Sequence, residues 1–98
     1  MNKHVKHLNL CKSLNETYIK KNQDYGNSFG DMFQELGPIT AVTRIGDKYG
    51  RVKSLIKSGS DIKVKDESIK DTLLDMANYC IMTILELEEY NDENRGVK

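Results

Sequence analysis

The residues best suited to chemistry lie in the last third of the chain. Asp71, Asp75, Asn78 and Tyr79, with Ser68, recur at helical spacing and share one narrow stripe. Two carboxylates four apart on a helix sit about 6 Å from each other, close enough to share a divalent cation or to accept from Arg and Lys. A second row, Arg44, Lys48 and Arg51, recurs along one border of an earlier helical stretch. Guanidinium groups fork onto carboxylate or phosphate oxygens, and lysine adds a compact positive charge. A third group is Lys20, Lys21 and the Asp24-Tyr25-Gly26 run, followed by Phe29, where two aromatic rings could stack a base.

Each group also has a plain structural use. The Asp/Asn/Tyr stripe could be a solvated face, although long Lys and Glu would suit that better than short Asp and Asn beside a phenol. The acidic and basic rows could form an internal salt-bridge network, and Tyr25 with Phe29 could close the top of a bundle. If the rows face each other across a gap, a phosphate fits the basic row and a base or ribose fits the Asp, Asn and Tyr groups. His4 and His7, three apart, lack an evident carboxylate or thiolate partner for a metal. No Gly-rich phosphate loop, zinc spacing or Ser-His-Asp arrangement is visible.

The elements that must position these groups are helical, because apolar residues recur at three and four over long stretches and the chain has one proline. Helix one is expected over about Lys3 to Asn22, with Leu8, Cys11, Asn15, Tyr18 and Asn22 in a stripe. Asp24 to Gly30, with two glycines among Asp, Asn and Ser, predicts a structured loop. A short helix follows over Asp31 to Leu36, and Gly37-Pro38 ends it and starts a third running to about Lys57. That helix gathers Ala41, Val42, Ile45, Tyr49, Val52 and Ile56 on one face, with Gly46 and Gly50 on its other border.

Asp61 to Lys65 alternates and predicts a short extended arm, with Asp66 as N-cap of a last helix over Glu67 to Glu89. Its apolar side, Ile69, Leu73, Met76, Ala77, Cys80, Ile84 and Leu87, is expected to face the core, with the polar stripe turned away. Cys11 and Cys80 fall on apolar faces and are expected to be buried thiols. The expectation is an all-α domain over residues 1–90, three long helices and one short, with a polar tail over 91–98.

The 98 residues carry 15 Lys+Arg against 15 Asp+Glu, so the bulk basicity that draws proteins to duplex nucleic acid or anionic membranes is missing. Counting Gly but not Tyr, about 40% of residues are apolar, under the ~45–50% of globular domains. A thin core in a small chain predicts a homo-oligomer. Two distant cysteines, no leader-like start and no run of about 18 apolar residues predict a reduced, cytoplasmic protein outside the membrane.

Three blocks in order, Lys21 to Phe29, Arg44 to Lys48 with Arg51, and Asp66 to Tyr79, resemble the first of the nucleotide modification associated domain families, small proteins common in phages and prophages. The resemblance spans about Thr17 to Leu85. Carried over by position, it implies a ligand site at Lys21, Asn22, Asp24, Tyr25, Arg44, Asp47, Lys48, Arg51, Asp71, Asp75, Asn78 and Tyr79. The expected role is to hold a phosphate-bearing, even cyclic signalling, nucleotide, to sequester it against host defence or to serve base modification, with no cofactor required. The last block is more weakly similar to all-α nucleoside triphosphate pyrophosphohydrolases. That similarity implies magnesium on Asp71 and Asp75, with Asp31 and Glu35 as a second pair, but the dense Glu-x-x-Glu motif is absent. A structural or protein-interaction module is the third expectation.

Overall fold

The computed structural model describes residues 2–58 and 62–95, with the side chains of the last helix described from 68 to 90. Four helices follow in order: α1 (Lys3–Tyr25), α2 (Ser28–Leu36), α3 (Ile39–Lys57) and α4 (Ile62–Arg95). No strand occurs among the described residues.

Local chemistry sets the boundaries. The Asn2 side chain accepts from the Val5 amide at 3.0 Å and caps α1. Gly26 (φ 72°) and Gly37 (φ 86°) adopt left-handed backbone that side chains disfavour, ending α1 and α2. Their amides return to the Asn22 and Phe33 carbonyls at 2.8 and 2.7 Å. Pro38 heads α3, and its carbonyl accepts from the Ala41 amide at 3.0 Å.

The buried cluster is small: Phe29, Phe33 and Ala41, with Ile45, Tyr79, Met82, Leu87 and Tyr90 packed around it. Phe33 is fully enclosed, and Tyr90 meets its ring edge-on at a centroid distance of 5.8 Å. Polar ties brace the same knot. Thr40 donates to the Met32 carbonyl at 3.3 Å, and Gln34 Nε2 donates to the Glu86 carbonyl and carboxylate at 3.2 and 3.0 Å. Lys48 meets Asp75, while Ala41 and Ile45, earlier on α3, join Tyr79 and Met82, later on α4, so the two helices run antiparallel. α1 crosses α4 and contributes no buried residue. The radius of gyration is 16.0 Å, with extents of 52 × 30 × 25 Å, against about 13 Å for a compact chain of this length.

The all-α reading with three long helices and one short is borne out, and several details are corrected. The expected loop over Asp24 to Gly30 shrinks to Gly26-Asn27, because one left-handed glycine suffices for the bend. Gly30 belongs to α2 instead, packed so tightly that an added Cβ would lie 2.6 Å from the Asn27 side chain. The extended arm is absent: Ile62 to Lys65 is already α4, and Asp66 lies within that helix rather than capping it. Asp61 falls outside the described residues. α4 also continues past Glu89 to Arg95.

The phase of α4 is the largest correction. Tyr79, from the stripe expected to face away, packs against the core, as does Met82. Leu73, Cys80 and Ile84, expected inside, are exposed. Cys11 is exposed as well, so neither thiol is buried. No helix among the described residues is long and apolar enough to cross a membrane.

Candidate functional site

Because α1 extends to Tyr25, residues Tyr18, Lys21, Asn22 and Tyr25 share one helical face, three and four apart. That face leans over the inward stripe of α4. Asn78 holds it there, its Nδ2 donating to the Leu14 carbonyl at 3.1 Å. Beside this tie, Asp75 accepts from two ammonium groups: Lys21 of α1 reaches Oδ1 at 3.5 Å and Lys48 of α3 reaches Oδ2 at 3.1 Å. One carboxylate between two lysines leaves a local excess of one positive charge. The Lys21 side chain is more than half exposed, so its remaining donors face outward, where an anion can reach them.

These groups border a cavity of about 360 Å³ between α1, the α1–α2 turn and α4. Its walls combine Tyr18, Lys21, Asn22 and Tyr25 with Gly26, Ser28 and Phe29, and with Asp75, Asn78, Tyr79 and Met82. Small-molecule sites span roughly 300–1,000 Å³ and pair apolar walls with a few convergent polar groups, a description this cavity fits. Phe29 and Tyr79 form its floor, their rings tilted at 56° with centroids 5.4 Å apart. Tyr25, 75% exposed, stands at the rim with its ring free to stack. A second recess of about 330 Å³ shares Lys21, Asp75 and Asn78 and continues along α1 to Asp71. A larger hollow of about 760 Å³, lined by Lys6, Lys70 and Asp71 among others, is shallower and has no aromatic wall.

Of the twelve residues read from the sequence, six line the 360 Å³ cavity: Lys21, Asn22, Tyr25, Asp75, Asn78 and Tyr79. Lys48 joins through Asp75, and Asp71 lies in the neighbouring recess. Asp24, Arg44, Asp47 and Arg51 are exposed and do not line the cavity. The basic row is therefore divided, because Lys48 lies on the flank of α3 that meets α4 while the two arginines stay in solvent. Tyr18, Ser28 and Met82 line the cavity and were missed as site residues. The signal for Tyr18 was its register with Lys21, Asn22 and Tyr25, which an early helix end concealed. Tyr25 and Phe29 do not act together as a plug, since Phe29 is buried and Tyr25 is not.

Both Asp75 oxygens are engaged by ammonium groups, and Asp31 and Glu35 are exposed on α2. Among the described residues, no three or more His, Cys, Asp or Glu side chains converge as a metal-binding group. His4 and His7 are exposed, with His7 Nδ1 3.8 Å from Cys11 Sγ.

Comparison with known proteins gives one match. The family model described as nucleotide modification associated domain 1 matches residues 21–87, and the chain belongs to that family. The matched span includes all twelve residues above and most of the cavity wall. No curated protein and no solved structure matches the chain.

Proposed function

We propose that this nucleotide modification associated domain protein binds a phosphate-bearing nucleotide in the cavity between α1 and α4. The single observation that carries the reading is the convergence of Lys21 and Lys48 on Asp75 at the edge of a tyrosine-lined cavity. An incoming phosphate competes with Asp75 for the two ammonium groups and gains charge-assisted hydrogen bonds. The base stacks on Tyr25 or Tyr79, and the Asn22 and Asn78 amides supply directional contacts to base or sugar. Asn78 uses one donor on Leu14 and keeps its oxygen for the ligand.

Binding rather than turnover is the favoured mode. A magnesium-dependent pyrophosphohydrolase would need Asp75 as a metal ligand, whereas here its oxygens face two cations. In a phage-infected cell, a small binder of this kind would sequester a signalling nucleotide, cyclic forms included, or hold one for base modification.

Calorimetry with linear and cyclic nucleotides, with and without magnesium, tests the reading. At least one nucleotide binds without magnesium, and Lys21→Ala weakens it about tenfold, the loss expected for one charge-assisted contact. A folded protein that binds no member of the panel overturns the proposal. Pyrophosphate release that Asp75→Asn abolishes would establish the hydrolase instead.

A further inference from the structure

The antiparallel α3–α4 pair has two sides, and the chain covers only one. On α3, Ala41, Ile45 and Lys48 meet α4. Val42, Tyr49 and Ile56, seven apart, centre about 70° further round and are 60–65% exposed. On α4, Asn78 and Leu74 mark the flank crossed by α1, and Asp75 and Tyr79 turn toward α3 and α2. Leu73, Cys80 and Ile84 occupy the remaining flank and are exposed. The sense of rotation reverses between antiparallel helices, so both strips emerge on the same side of the pair, away from α1. Six apolar side chains thus form a face that no described residue covers.

The surface area indicates what covers it. The chain exposes 7582 Å², about 1,900 Å² more than the ~5,700 Å² of a compact monomer of 11.2 kDa. A stable interface removes roughly 800 Å² per partner, and obligate dimers remove more. The excess is of the size a second copy would bury. Spacing supports the same occupant, because Val42, Gly46, Tyr49, Lys53 and Ile56 alternate steps of four and three, the repeat by which helices pack side by side. Gly46 falls on this strip, and a Cβ added there meets nothing within 4 Å among the described residues, which leaves room for the backbone of another helix.

We propose that a second copy of this chain packs on the face formed by Val42, Tyr49, Ile56, Leu73, Cys80 and Ile84. Each copy presents α3 and α4, and the result is a symmetric four-helix layer with the α1 sides, and so the two cavities, facing outward. The apolar side that the hydropathy pattern assigns to a core then becomes one, shared between copies.

Sedimentation equilibrium and alkylation of the two cysteines test this on the full chain, with no nucleotide present and so independently of the binding proposal. The wild type sediments at twice 11.2 kDa. In the assembly Cys80 reacts with iodoacetamide about tenfold more slowly than Cys11, although both are exposed in the single chain. Ile84→Glu gives a helical single chain by circular dichroism and brings the two alkylation rates together. A wild type that remains a single chain at the highest soluble concentration overturns the proposal. So does an assembly in which Cys80 reacts as fast as Cys11, because the interface then lies elsewhere.

Discussion

The two sides of the α3–α4 pair differ in composition. The side that the chain covers itself sets Lys48, Thr72, Asp75, Asn78 and Tyr79 beside the apolar Ala41, Ile45 and Met82, with hydrogen bonds and ion pairs to α1 and α3. The side left open carries Val42, Tyr49, Ile56, Leu73 and Ile84. Half-buried polar groups beside a cavity suit the ligand proposed above, and exposed apolar groups suit the proposed second copy.

The aromatic knot holds both sides in place. Phe33→Ala should cost about 3–5 kcal/mol, because the ring is fully enclosed and, with Phe29, anchors α2 in the core. Urea unfolding followed by circular dichroism reads the loss, and a midpoint close to wild type would show that α2 is not the anchor. A smaller effect separates the two halves of the basic row. Lys21→Ala weakens nucleotide binding about tenfold, whereas Arg44→Ala and Arg51→Ala change it less than about twofold, as expected of solvent-exposed charges. Equal losses at all three positions would move the site onto α3.

Asn78→Ala should destabilise by about 1 kcal/mol, the net value of one part-buried hydrogen bond, and should loosen α1. Faster amide exchange in α1 than in α3 would show this, and unchanged exchange would mean that α1 is held by other contacts. Gly46→Ala sharpens the comparison by its sign. On a helix face left in water, alanine adds up to about 1 kcal/mol of stability. On a face where another backbone approaches, the methyl group weakens association, and a dilution series distinguishes the two.

The number, order and approximate extent of the helices were legible, because periodic apolar residues and two glycines mark them. Gly26 and Gly37 both proved to be left-handed stops. The Asp24 to Gly30 segment misled because Asn27, Ser28 and Gly30 resemble breakers by composition. In the fold, Ser28 opens α2 and Gly30 is the small residue that lets α2 pack against its own cap. The Ile62 to Lys65 alternation misled in the same way, since four residues of period two fit a helix edge equally well.

Half of the candidate site was legible for a physical reason. Asp75, Asn78 and Tyr79 are short polar groups in one stripe and Lys21, Asn22 and Tyr25 share another, and the fold brings these stripes together. Arg44 and Arg51 belonged to a row with Lys48, but spacing alone does not say which member of a row turns inward. The phase of α4 was misread for a deeper reason. Hydropathy marks the apolar side of a helix but not which side its neighbours in the chain cover, and Leu73, Cys80 and Ile84 face outward.

The most direct test of the site is chemical-shift mapping of the isotope-labelled protein against the nucleotide that calorimetry finds to bind. The largest shifts should fall on the backbone amides of Lys21, Asn22 and Tyr25 of α1 and of Asp75, Asn78 and Tyr79 of α4, leaving Arg44 and Arg51 nearly unmoved. Shifts centred on the two arginines, or on the apolar strip of α3 and α4, would contradict a binding site between α1 and α4.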